Sequence, residues 1–294
     1  MPYSGFIIGV IASMIWGFTP IFFKLMEDFS PQEVVAHRII WTVAAMLVFA
    51  YFTARLPRLV YALKTWREMR SIIFSGILMA TNWLTFIYAV TNDKIVDASL
   101  GYYIYPLMVV AVGVFGLGEK LHRLEWLAVG LAFLGVLLKT YENGGAPVIA
   151  LVVSTSFVAY TLLNKTRETG PVVGLLAEAI VLSPIALVFL GFLMMTGDGQ
   201  FIQGGGLNTG LAIATGVVTV VPLAMFIASS RAIGIAVSGL LFYLAPTFHL
   251  ICGVVIYQEP FSRLDGFAFG LIWLALAVLA YKNFSRKDAL PTAE

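Results

Sequence analysis

The sequence contains a single cysteine, Cys252, so the chain forms no internal disulfide and no cysteine-built metal site. Charge is equally scarce. Only 12% of the 294 residues are Asp, Glu, Lys or Arg, where a soluble domain carries about a quarter. The net charge of +2 is small and scattered, which leaves a nucleic-acid partner without support. The Gly-rich stretch Thr196 to Asn208 is not followed by Lys-Ser or Lys-Thr, so no phosphate-cradling loop exists to couple the protein to ATP. An intramembrane enzyme would need clustered catalytic groups. The sequence has no His-Glu-x-x-His, no paired membrane aspartates and no Ser/His pair at helical spacing, so neither catalysis nor a cofactor or metal is expected. The first apolar run lacks a basic segment before it and a small-x-small cleavage site after it. It reads as a retained helix and not a signal peptide.

What the sequence has in abundance is apolar length. Hydrophobic residues make up 60%, and they fall in ten runs, about Ser4 to Phe23, Glu33 to Thr53, Ser71 to Thr91, Ala98 to Leu117, Leu124 to Tyr141, Pro147 to Leu163, Pro171 to Met195, Thr209 to Ser230, Ala236 to Tyr257 and Leu264 to Lys282. About 20 residues of helix cross the hydrocarbon core. Helices are required because unpaired backbone groups cannot face lipid. The expected fold is therefore an all-α polytopic membrane protein of about ten transmembrane helices, with the bilayer itself as a partner.

The chain also repeats itself. Ala98 to Arg123 returns in altered form as Ser238 to Arg263, at a constant offset: 246 − 106 = 140 for the prolines, and likewise for Leu100 and Leu240, Tyr103 and Tyr243, Glu119 and Glu259. The offset also links Pro31 to Pro171 and Phe86 to Phe226, so the duplication covers most of the chain. Each half holds five spans. An odd number sends the second half into the membrane from the opposite side, giving two inverted five-helix repeats, residues 1–143 and 144–294. With the N-terminus in the cytoplasm, thirteen Lys and Arg fall in inner loops and the tail, and four, Lys24, Lys94, Lys139 and Arg263, fall outside. That bias places both termini in the cytoplasm. Thr196 to Asn208 reads as a flexible outer loop.

Within the spans, Pro20, Pro106, Pro184, Pro222 and Pro246 each free a carbonyl that needs a partner where there is no water. The repeat-related Pro106 and Pro246 suggest paired kinks around a central site. Gly113, Gly116, Gly253 and Gly270 suit close helix packing. Four ionisable groups lie inside spans: His37, Arg38, Glu178 and His249. A charge at the bilayer centre costs about 3 kcal/mol or more, so Arg38 must face protein, water or a counter-charge. Its repeat counterpart is Glu178 (178 − 38 = 140). The two differ in depth by roughly 15 Å at 1.5 Å per residue. They are expected at the outer and inner mouths of one cavity instead of pairing with each other; satisfaction by neighbouring hydroxyls and carbonyls is the alternative. Glu178 is the candidate proton carrier, and His37 is expected to be buried and hydrogen-bonded. Trp16, Trp83, Tyr102, Tyr105 and Tyr243 suit a pocket for a flat or amphiphilic molecule, with Thr19 and Asn82 as hydrogen-bonding groups; ordinary packing is the competing explanation for each. Trp66 and Trp126 read as interfacial belt residues. Glu119 with Arg123 and Glu259 with Arg263 lie in tight turns, where the carboxylate is expected to favour the start of the following helix and to pair four residues on.

Several of these stretches together resemble a known family. Trp16-Gly17 with Lys24, His37-Arg38-Ile39-Ile40-Trp41, Asn82-Trp83-Leu84, Ala98-Ser99-Leu100-Gly101-Tyr102, Pro106-Leu107 and Gly118-Glu119 are similar to the RarD branch of the EamA-type transporters, in the drug/metabolite transporter superfamily. The second half departs from the pattern, having Phe157-Val158 in place of the Trp-Gly pair. The resemblance implies ten helices, inverted repeats, alternating access and secondary transport of small organic compounds across the bacterial inner membrane, usually export. Relatives handle amino acids, other metabolites and drugs. Uptake, or a passive channel or sensor, are the alternatives. Protons and a second copy of the chain are candidate partners beside the small-molecule substrate.

Overall fold

The computed structural model describes residues 2–117, 122–142, 144–165, 167 and 169–287. Among these every regular element is helical, and ten segments are long and apolar enough to cross a membrane. In chain order the elements are α1 (Pro2–Gly17), α2 (Thr19–Lys24), α3 (Pro31–Phe52), α4 (Leu56–Lys64), α5 (Trp66–Thr91), α6 (Ile95–Leu117), α7 (Arg123–Glu142), α8 (Val148–Lys165), α9 (Gly170–Thr196), α10 (Gln200–Gln203), α11 (Gly205–Ile233), α12 (Ile235–Phe242), α13 (Leu244–Ile251), a π-helical turn (Cys252–Ile256) and α14 (Arg263–Lys287). The first span is α1 plus α2, and the ninth is α12, α13 and the π turn.

The principal packing repeats when the halves are exchanged. Helix α1 packs on α11 as α8 packs on α5, α11 packs on α3 as α5 packs on α9, and α6 packs on α8 as α13 packs on α1. The remaining large contacts, α3 with α9, α6 with α13 and α7 with α14, join counterparts to each other. This is the pattern that two halves related by the 140-residue offset would give. Apolar side chains left uncovered on the spans, such as Phe133 on α7 and Val188 and Phe192 on α9, form the lipid-facing surface of a multi-pass membrane protein.

Helix starts follow local chemistry. Ser30-Pro31-Gln32-Glu33 opens α3, with Ser30 Oγ accepting from Glu33 N at 3.2 Å and proline in the first turn, a cap with a preset backbone angle. Ser262 and Asp265 open α14 by bonding each other's backbone N–H, both at 3.0 Å. Glu259 does not pair with Arg263 as expected. Its carboxylate accepts from Ile95 N at 2.7 Å and Val96 N at 2.8 Å, capping α6 in the other half; the free N–H groups of a helix start hold a carboxylate better than one exposed arginine does. Glu33 likewise caps α10 across the halves, accepting from Gln200 N at 2.8 Å. The Gly118-Glu119 motif, and with it the Glu119 turn, lies outside the described residues.

The prolines show where orphaned carbonyls go. Pro20 cannot donate to Trp16 O, and that oxygen instead accepts from Thr19 Oγ1 at 2.6 Å and His249 Nε2 at 3.0 Å. Pro184 strands Ile180 O, which accepts from Ser183 Oγ at 2.7 Å. In both cases the hydroxyl residue directly before proline repairs the ladder. The repeat-related prolines Pro106 and Pro246 sit in different local structure. Helix α6 runs unbroken through Pro106, whereas the second half breaks at Tyr243, ahead of Pro246.

Three other expectations change. Thr196 to Asn208 is ordered by the Glu33 cap into α10 and the start of α11, not left as a loop. The connection after α3 holds the amphipathic α4, too short and too charged to register as an apolar run. Gly253 does lie close to Val96, but a side chain at Gly270 would meet only open space, so Gly270 has no packing role.

Candidate functional site

Where the two halves meet, a cavity of about 280 Å³ opens between α1, α2, α3, α5, α6, α8, α9, α11, α12 and α13. That is near the lower end of the range for small-ligand pockets. Of the residues singled out by sequence, Trp16, Thr19, Arg38, Asn82, Trp83 and Tyr102 line it. Tyr105, Glu178 and Tyr243 do not. Tyr105 lies one turn beyond Tyr102, its hydroxyl 3.2 Å from Thr161 Oγ1. Tyr243 marks the α12–α13 break and packs beside a separate cluster around Tyr103 and Phe269.

The walls are aromatic and come from both repeats. Trp16 contacts Phe226 and Phe242, each at 5.6 Å between ring centres. Phe157 stacks on Tyr160 at 6.1 Å with planes 6° apart. Phe157 is the residue that replaces the Trp-Gly pair, so the departure from symmetry puts an aromatic wall into the cavity. Asn82 is a brace more than a free ligand group. Its Nδ2 donates to Val153 O at 2.9 Å and Ser156 Oγ at 3.2 Å, and its Oδ1 accepts from Tyr102 at 3.0 Å. His249, held by Trp16 O through Nε2, leaves its buried Nδ1 without a partner among the described residues.

Arg38 is the one full-time charge on the lining, which contains no Asp, Glu or Lys among the described residues. Its guanidinium lies 3.9 Å from the centre of the Trp83 ring and 5.4 Å from that of Phe23. Nε donates to Thr219 Oγ1 at 3.0 Å, and Thr219 in turn donates to Thr215 O at 2.8 Å. No carboxylate among the described residues forms an ion pair with it. Stacking on a desolvated aromatic ring is worth about 2 kcal/mol. Burying an ion costs several, so the protein side chains leave this charge under-compensated.

Arg38 and Glu178 form no ion pair with each other. Glu178 sits one turn from the wall residue Leu175 on α9 and is fully buried. It pairs with Arg167 from the α8–α9 connection, Nη1 to Oε1 at 2.6 Å, and Ser75 bridges both, 2.6 Å from each. Nothing in the sequence marks Arg167, one of thirteen basic residues that the charge bias puts on the inner side. The two span charges follow the repeat: Arg38 on α3 bonds a hydroxyl on α11, and Glu178 on α9 bonds one on α5, the counterpart helix. His37 is buried as expected, but its Nε2 has no hydrogen bond and lies 3.9 Å from Glu33 Oε1. With Glu33 and Trp41 it borders a second hollow of about 410 Å³ against α9 and α10.

Comparison with known proteins places this architecture. Residues 3–141 match the EamA-like transporter family. An "Uncharacterized transporter PA0485" of Pseudomonas aeruginosa is 38% identical, over 98% of this chain and 96% of its own. Protein RarD of Escherichia coli is 34% identical over 94% and 93%, and an "Uncharacterized transporter YojE" of Bacillus subtilis 34% over 97% and 96%. One solved structure shares the fold over 98% of this chain and 99% of its own, with a TM-score of 0.56 at 19% identity. The chain is a membrane transporter of the EamA-like family and belongs to its RarD branch.

Proposed function

We propose that this transporter is a secondary carrier of the bacterial inner membrane, with both termini cytoplasmic, that exports a small amphiphilic or aromatic metabolite by alternating access. The halves 1–143 and 144–294 rock against each other around the cavity. The observation that carries this reading is that one aromatic cavity is walled by both repeats, so a change in the angle between them opens it to one side or the other. The Arg167–Glu178–Ser75 cluster, beside the cavity in the half of the membrane that the charge bias assigns to the cytoplasm, ties α9 and the α8–α9 connection to α5 and acts as a lock on the inner gate. Glu178 is the candidate site of proton coupling, since its protonation would remove one partner of the gate.

Counterflow in proteoliposomes tests the proposal. A panel of labelled amino acids and aromatic metabolites is followed with and without an imposed pH gradient. Saturable exchange that unlabelled substrate competes away is the expected result. No exchange by any member while the protein stays folded would contradict a carrier and direct attention to ion conductance.

A further inference from the structure

We infer that the cavity selects organic monoanions, amphipathic carboxylates whose acid group docks on Arg38. This rests on the carrier reading and names its substrate class. The cavity wall holds a guanidinium with no carboxylate partner and no other fixed charge beside it among the described residues. Thr219 and Trp83 fix the orientation of that guanidinium. Nε is spent on Thr219, whose hydroxyl hydrogen is already committed to Thr215 O, so its lone pair faces Arg38. The central carbon of the guanidinium lies over the Trp83 ring, 3.9 Å from the ring centre. The edge bearing the two Nη atoms has no hydrogen-bond partner among the described residues. A planar donor fork of this kind matches a carboxylate through two parallel bonds.

The rest of the lining supplies the other half of the substrate. Phe157, Phe226 and Phe242 present hydrocarbon and ring faces with no polar atom, so they accept an apolar body and gain from excluding water. A cation would meet an unshielded like charge. A neutral amide would leave the buried fork without its anion. The positive charge at Arg38 and the apolar wall together therefore define an acid with a greasy tail or ring.

The test uses isosteres that differ only in the polar group, phenylacetate, phenylacetamide and phenethylamine, with octanoate as an aliphatic acid. Binding to the full-length protein is measured by calorimetry, and exchange by counterflow. The two acids are expected to bind at least about tenfold more tightly than the amide or the amine, a gap of about 1.4 kcal/mol. Arg38→Gln is expected to erase that preference. Thr219→Val, which keeps the charge but frees the guanidinium to rotate, is expected to weaken the acids several-fold and to narrow their margin over the amide. The wild-type ranking and the Thr219 variant decide the matter even where Arg38→Gln does not fold. Amide or amine binding as tightly as the acids, a preference that survives Arg38→Gln, or no binding of either acid each overturns the inference. Exchange of the amide or amine alone would overturn anion selection and leave the carrier standing, whereas no exchange of any compound would count against both.

Discussion

Breaking the Arg167–Glu178 pair gives the sharpest energetic prediction. Both side chains are almost fully buried, at 1% and 2% exposure, and the bond is 2.6 Å long. Removing one member strands the other charge in a dry site, which costs about 3–5 kcal/mol. Arg167→Met and Glu178→Gln should each lose that much. The double variant buries no charge and should lose about 2–3 kcal/mol, well below the sum of the single losses, because only neutral hydrogen bonds at about 1 kcal/mol each are then missing. In a carrier whose gate makes this bond only while closed, a loss of about 3 kcal/mol shifts the closed-to-open ratio by roughly 140-fold. Denaturant titration of the four proteins in mixed micelles measures the coupling. Labelling of a cysteine in the cavity from the gate side, in a Cys252→Ser background, measures the shift. Additive losses within about 0.5 kcal/mol would refute the pair as a buried, mutually dependent lock.

Other consequences are independent of that gate. Gly216 on α11 lies against the backbone of Trp41 on α3, where a Cβ would stand 2.3 Å from the carbonyl oxygen; Gly216→Ala should cost about 1–3 kcal/mol or more by forcing these helices apart, while Gly270→Ala, with nothing near it, should be silent in the same melt. Burial holds the Glu259 carboxyl above the usual carboxylate range, although two backbone N–H groups pull it down. A raised native value means the folded state holds the proton more tightly, so this contribution is complete below the unfolded value of about 4.3 and is lost as pH rises through the native value. Stability against pH should therefore fall more steeply across that window in the wild type than in Glu259→Gln. If Glu178 carries the coupling proton, counterflow by Glu178→Gln should lose its response to an imposed pH gradient, and a response equal to wild type would remove Glu178 from that role.

Much of the architecture was legible because lipid leaves few choices. Apolar runs must be helices, each half holds five of them, and the internal offset of 140 residues pairs the halves. Arg38 stood out because a charge inside a span demands an explanation. The local repair of Pro20 by Thr19 and of Pro184 by Ser183 was readable in principle, since the hydroxyl directly precedes the proline. What stayed hidden depends on three-dimensional placement. Glu259 caps a helix start 164 residues away, and no local pattern announces that. Arg167 looked like a topology charge because sequence does not separate a loop arginine that folds inward from one that stays in water. Tyr105 and Tyr243 were grouped with Tyr102 by composition, yet depth along the helix and the break at Tyr243 keep them off the cavity wall. Helix α4 escaped because hydropathy registers length and not amphipathic pattern.

Alternating access requires that one cavity face the two sides of the membrane in turn. Cysteine placed at Leu223, a wall residue on α11, in a Cys252→Ser background and in vesicles of known orientation, tests it with a membrane-impermeant thiol reagent applied from either side. The account predicts labelling from both sides, slowed by bound substrate, with Arg167→Met raising the rate from the gate side and lowering it from the other. Labelling from one side only, unaffected by substrate and by the Arg167 substitution, would contradict it.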